Sequence, residues 1–286
     1  MSAWTFEAIG TAWQIDTREP LADDVRAAVT GCIEQFDRAW SRFRDDSLVA
    51  EMARGAGEWE MPEQGDFLLD FYSELHDATD GAVNPLVGRT LSDLGYDAAY
   101  SLVPSGSPAP VPPWSSISWD RSAIRTTRPV LLDVGAAGKG RLVDMVEGVL
   151  HNGALNQFTI DASGDIYHNG TLPIRVALEH PADPTRAVGV VELEPEDALC
   201  ASATNRRTWA DGLHHVLDAR TGRPTADVVA TWVVVDQSCM RADGLATAHF
   251  FADPEVLMER FQHEYARMYA DGRLQWSSDF PGELFV

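Results

Sequence analysis

Basic residues are scarce in this 286-residue chain: 22 Lys and Arg stand against 44 Asp and Glu, a formal charge of −22. A field of that sign argues against binding to nucleic acid and against attraction to anionic membranes. Cysteine is scarcer still. Cys32, Cys200 and Cys239 are widely spaced, with no CxxC, which suits buried thiols in a reducing compartment. Long apolar runs are missing too. The start, MSAWTFEAIGTAWQID, has no basic region and no apolar stretch of the kind a signal peptide carries. No lipid-attachment cysteine, membrane span or membrane insertion is expected, and the cytoplasm is the expected location. What is present is an ordinary globular composition, 45% apolar and 23% charged, enough for a sizeable core in one large domain or two small ones. An excess of acid also suits a protein that handles a divalent cation, without proving a site.

Periodicity gives the coarse order of elements. Residues 4–15 alternate loosely, as a first strand does. Val25, Val29, Cys32, Ile33, Phe36, Trp40 and Phe43 step by three and four, an amphipathic helix after the acidic EPLADD. A second helix is expected over 64–78 and a Pro/Gly/Ser loop over 104–114. Short strands are expected at Ile117–Trp119, Ala123–Thr126, Val130–Asp133, Phe158–Ile160, Ile174–Leu178, Val188–Leu193, Leu213–Leu217 and Thr231–Val235. Helices are expected over 141–151, Arg241–Phe251 and Pro254–Tyr269. There is no repeat and no regular βαβ alternation, so the class is α+β.

The stretch LLDVGAAGKGRLVD, residues 131–144, places glycines at a strand-to-helix turn. Backbone N–H groups and the helix dipole there favour an anion, and Lys139 adds positive charge. It fits neither G-x-x-x-x-G-K-[ST], since Arg141 and Leu142 follow Gly140, nor G-x-G-x-x-G, since the order is G-x-x-G-x-G. Taken alone, the turn reads equally well as an anion site or as a bend. Asp243 and Thr247 stand at i and i+4 on one helix face. Two oxygens there suit a hard cation such as Mg²⁺; a helix cap or a solvated face accounts for them as well. His215 reads as a base or as a strand histidine in a packing role.

Order adds what the single motifs lack. SRFRDDS (41–47), TDGAVNP (79–85), LDVGAAGKG (132–140), GDI (164–166), HHVLDARTGRP (214–224) and ADGLATA (242–248) follow one another along most of the chain. This set resembles the ApbE family of FAD:protein FMN transferases. The resemblance implies an α+β, T-fold-like single domain over 1–286, of mostly antiparallel strands with packed helices. It implies FAD as substrate and Mg²⁺ as cofactor, with FMN transferred to a Ser or Thr hydroxyl of a target protein and AMP released. The glycine-bearing turn over 131–144 would then serve the phosphates of FAD.

Position by position, the resemblance puts Mg²⁺ on the side chains of Asp243 and Thr247 and the backbone oxygen of Ala136. It puts FAD against Ile9, Phe43, the Ala82–Val83–Asn84 loop, Asp133, Lys139 and the strand ending at Leu217. His215, in register with Asp218, becomes the general base for the incoming hydroxyl, with Asp243 also in the catalytic set. The chain departs from the family's pattern at Asn84, where Asp is usual. It departs again at ASATNRR (201–207), at DASGD (161–165), and at Ala53 and Ala246. Two other outcomes follow from the same residues: an FAD pyrophosphatase giving FMN and AMP, and a flavin-binding protein of reduced catalysis. The acceptor protein lies outside this sequence.

Overall fold

The computed structural model describes residues 1–210 and 212–285. An eight-stranded sheet carries the fold, and each pair of neighbours in it is antiparallel. In spatial order its strands are Ser2–Ala8, Thr11–Thr17, Phe158–Asp161, Asp165–Asn169, Asp197–Ala203, Val228–Asp236, Glu264–Tyr269 and Leu274–Trp276. The first two form a hairpin turned by Ile9 and Gly10, both at positive φ (46° and 73°). The stretch expected as one strand is therefore two.

Between the second and third strands of the sheet the chain leaves to build a helical layer. It holds α1 (Asp23–Trp40), α2 (Leu48–Met52), α3 (Gly65–Ala78), α4 (Gly88–Asp93) and α5 (Gly138–Asn152). Two later helices, α6 (Cys239–Ala248) and α7 (Pro254–Arg260), complete it. The stripe read from the sequence does face the core in α1: Val29, Phe36 and Trp40 are buried. Phe43 falls beyond the helix end. On the sheet, alternation decides which layer each side chain joins. Ala198, Cys200, Val233 and Val235 pack under the helices. Leu199, Trp232 and Val234 face the other way, against a three-stranded sheet of Ile174–His180, Asp183–Leu193 and Gly282–Leu284. A central strand buried on both faces explains the continuous apolar run VVATWVVV, residues 228–235.

Three further expectations need correction, and one strand was not expected. Val130–Asp133 is extended but joins no strand among the described residues: Val130 N–H donates to Met52 O and Asp133 N–H to Pro85 O. Leu213–Leu217 is not one strand. Leu213–His214 pairs with Thr208–Trp209, and Leu217–Asp218 pairs with Arg223–Pro224. The helix expected through Tyr269 stops at Arg260; Glu264–Tyr269 is a strand between Val228–Asp236 and Leu274–Trp276. The strand Asp197–Ala203, absent from the sequence reading, lies in the middle of the sheet. Among the described residues no helix is long and apolar enough to cross a membrane.

Candidate active site

Helices α5 and α6 meet at one glycine. A Cβ on Gly140 would lie 2.2 Å from the Cys239 carbonyl oxygen and 2.8 Å from Cβ of Asp243, so only glycine admits this contact. Gly140 N–H donates to Oδ2 of Asp243 at 2.9 Å. The anion at the N-terminus of α5 is thus a carboxylate of the protein itself. One turn further along α6, Thr247 Oγ1 donates to the carbonyl of Ala136 at 3.4 Å. The structure brings Asp243, Thr247 and Ala136 together, although 107 or more positions separate 136 from the other two. The start of α6 is itself held from α5: Asp144 accepts from Cys239 N–H at 2.7 Å and Met240 N–H at 3.1 Å. Burial raises the Asp144 carboxyl to about 7 in spite of those bonds.

Lys139 turns inward. Its Nζ lies 2.5 Å from Oδ2 of Asp165, a residue with no exposed surface. Burial pulls the ammonium pKa down, but Asp165 and then Asp243 outweigh it, and the net shift is upward. Burial raises both carboxyls; for Asp243 the charge of Asp165 adds to it, while Lys139 opposes it in both. Lys139 thus pairs with Asp165 and lies within the field of Asp243. The donors that converge beside this pair are a carboxyl, a hydroxyl and a carbonyl. That is a hard-oxygen set, the chemistry Mg²⁺ takes. Asp165, Cys200 and Cys239 also form a compact group, but the Lys139 ammonium is already on its carboxylate.

The other half of the site is aromatic. Arg42 is buried and donates through Nε to Asp133 at 2.5 Å and through Nη1 to the Tyr96 carbonyl at 2.7 Å. Its guanidinium lies 4.3 Å from the ring of Phe43 and 4.6 Å from that of Tyr96. Phe43 stacks on Tyr100 at 4.9 Å. The Ile9–Gly10 turn reaches the same place, since a Cβ on Gly10 would be 3.6 Å from the Tyr100 hydroxyl. Below lie the loops: Ala219 N–H donates to Ala82 O, Asp133 N–H to Pro85 O, and Leu217 packs with Tyr96 and Trp209. Val83 and Asn84 are buried here. Asn84 Oδ1 caps the following turn by accepting from Leu86 N–H at 2.9 Å, a bond an aspartate makes equally well.

His215 is half-buried beside Arg207 and near Asp133. Burial, then the Arg207 charge, pushes its imidazole down to about 4. It is neutral at pH 7, and Nδ1 has no hydrogen-bond partner. Its neighbour His214 gives Nε2 to the Thr225 carbonyl at 2.8 Å and likewise leaves Nδ1 without a partner. Buried Arg42 Nη2 also lacks a partner, so this side of the site has an unanswered donor as well.

Sequence reading missed Arg42, Tyr72, Tyr96, Tyr100, Asp165 and Arg207. Arg42 and Asp165 sit inside the quoted motifs SRFRDDS and GDI and were open to notice. Tyr100 lies in a loop at positive φ, 50°, which no periodicity marks. Tyr72 looks like any apolar-face residue of α3.

Comparison with known proteins gives consistent results. The sequence model of the ApbE family matches residues 9–269. The chain is 29% identical over 275 residues to an FAD:protein FMN transferase of Rhodobacter capsulatus, covering 88% of this chain and 51% of that protein. It therefore spans about half the length of that relative. It is 29% identical over 260 residues to the FAD:protein FMN transferase of Vibrio cholerae, covering 84% of this chain and 78% of that one. Among solved structures, the ApbE protein of Thermotoga maritima superposes with a TM-score of 0.83 at 20% identity, covering 97% of each chain. The flavin transferase ApbE of Vibrio cholerae gives 0.78 at 22% identity, covering 98% of this chain and 97% of that one.

Proposed function

The chain belongs to the ApbE family, and on that footing we propose that it transfers FMN from FAD to a serine or threonine hydroxyl of another protein, with AMP as the second product. We read 1–286 as one such domain. The observation that carries the proposal is the meeting of Asp243, Thr247 and the Ala136 carbonyl where α5 touches α6. These three would hold Mg²⁺, which when bound neutralises charge developing on the two phosphates of FAD.

The chain's own residues supply the rest. Lys139, fixed on Asp165, is a partly buried positive charge that adds its field to the phosphate site. Arg42 holds Asp133 and offers its unpartnered Nη2 toward an acceptor oxygen. Phe43, Tyr100 and the Ile9–Gly10 turn form an aromatic rim suited to the flavin ring, with the Ala82–Val83–Asn84 loop and Leu217 beneath. Neutral His215 takes the proton of the incoming hydroxyl. The hydroxyl oxygen bonds to the phosphorus that carries riboflavin, and the bridging P–O bond to AMP breaks. In the family-wide pattern Asn84 replaces a usual acid, which removes one negative charge near the flavin while keeping the cap on Leu86.

The acceptor is a protein, and no motif for it lies in this chain. Free Cys32, Cys200 and Cys239 support a reducing, cytoplasmic setting, and so a cytoplasmic acceptor. The test is incubation with FAD and Mg²⁺, with and without a threonine-bearing acceptor peptide, following AMP and peptide mass. AMP together with an FMN-sized gain on the peptide supports transfer. AMP and free FMN in the presence of acceptor would point to a pyrophosphatase. FAD retained with no AMP would reduce the protein to a flavin binder.

A further inference from the structure

Tyr72 sits on α3 with no exposed surface, among the apolar Leu68, Leu69, Phe71 and Leu75. Packing alone would be served by phenylalanine. Its one oxygen, Oη, accepts from two successive backbone groups across the gap to the 133–138 loop: Ala136 N–H and Ala137 N–H, each at 3.2 Å. Ala136 N–H has no other partner among the described hydrogen bonds, while Ala137 N–H is shared with Val134 O at 3.3 Å.

The second of these bonds matters for the cation. Ala137 N and the Ala136 carbonyl belong to one planar peptide unit, and in a trans peptide the N–H and C=O point in opposite directions. Holding the N–H on α3 turns the C=O toward α6, where Thr247 Oγ1 donates to it at 3.4 Å. The phenol, the peptide and the threonine thus form one line from α3 to α6. From this geometry we infer that Tyr72 is a positioning residue for the divalent cation: its hydroxyl aims the Ala136 carbonyl at the point served by Asp243 and Thr247. The inference rests on the reading of that trio as a cation site, and it assigns a role to a residue in none of the motifs.

Tyr72→Phe removes the single oxygen and keeps the ring. The measurement is Mn²⁺ affinity, read by electron paramagnetic resonance of free Mn²⁺, for the wild-type protein and the variant. Outer partners of a metal ligand change affinity by about 10- to 100-fold, and a loss of roughly tenfold is expected here. The Mg²⁺ concentration for half-maximal AMP release should rise by the same factor, with the rate at saturating Mg²⁺ much less affected. Equal Mn²⁺ affinity in the two proteins, with AMP released by the wild type, overturns the inference and leaves the proposed function standing. A weakened Mn²⁺ affinity with no AMP from either protein supports the inference and removes the function. No Mn²⁺ binding by the wild type overturns both. If the variant does not fold, hydrogen exchange in the wild-type protein decides: the Ala136 amide should be protected without metal and more so with Mg²⁺, and fast exchange overturns the inference.

Discussion

The carboxylate side and the aromatic side of the site are built in opposite ways. On the carboxylate side, Asp243, Thr247 and Gly140 ride on α5 and α6, Asp165 and Tyr72 are buried behind them, and Lys139 is held on Asp165. Each position is over-determined by a helix contact or a short polar bond. On the aromatic side, Phe43 and Tyr100 come from loops, Arg207 from a single 3₁₀ turn, and His215 from the bend between two two-residue strands. Their rings and guanidiniums are half-exposed or lie in loose stacks. The contrast shows where a site can drift. A cation needs oxygens placed to within tenths of an ångström, which rigid elements supply. A flat ring tolerates several walls, so looser elements serve on this side.

If this contrast is right, damage to the carboxylate side should be near total. Asp243→Ala should lower Mg²⁺-dependent AMP release by about 1000-fold, as loss of a main electrostatic element does. Activity that persists unchanged would show that the cation is held elsewhere. Lys139→Met should act on the fold, because it leaves the Asp165 carboxylate buried and unpaired. Breaking such a pair costs about 3–5 kcal/mol, and at about 2–4 °C per kcal/mol the melting temperature should fall by at least about 6 °C. The double variant Lys139→Met with Asp165→Asn should recover most of that loss in a thermal melt. Failure to recover would mean that Lys139 is held by something other than this charge pair.

Weaker and more selective effects are expected on the aromatic side. His215→Ala should cut transfer by about 100-fold, at the low end for a general base, with FAD binding retained by flavin fluorescence. The pH profile sharpens this. The folded imidazole lies near 4, below its ordinary value of 6.5. It stays in the basic form as pH falls through 6.5, so the acid limb of kcat/KM should lie near pH 4. A limb at 6.5 that survives in His215→Ala would assign the base to another group. The smallest effect is expected at the rim. Phe43→Leu removes a ring pair and a cation–π contact of about 0.5–1.5 kcal/mol, so KM for FAD should rise about 2- to 12-fold at little cost in kcat. A kcat loss as large as that of His215→Ala would mean that the rim is as exacting as the metal side.

Much of the fold was legible before the structure. The α3 helix was expected over 64–78 and spans Gly65–Ala78, because fourteen residues of strong 3.6-residue periodicity leave one solution. The ends of elements were less readable. Residues 264–269 carry a pattern compatible with a helix, and only the empty edge of Val228–Asp236 makes them a strand. Val130–Asp133 is extended in both readings, but its hydrogen bonds go to Met52 and Pro85, far away in sequence. Asp197–Ala203 is rich in Ala and Ser, residues without strand preference, and became a central strand because both neighbours present edges to it.

Within the site the division follows the same physics. The sequence by itself determined the family, through the order of its motifs. It also determined the pairing of Asp243 with Thr247, because four residues along a helix set two side chains on one face whatever surrounds them. Only the tertiary structure decided which groups those oxygens meet. Lys139 was expected to face the nucleotide and instead closes on Asp165; Gly140 gives its N–H to Asp243; Tyr72 reaches from α3 to the peptide of Ala136. None of these follows from spacing, because each bond joins elements whose approach is set by close packing of the core around them.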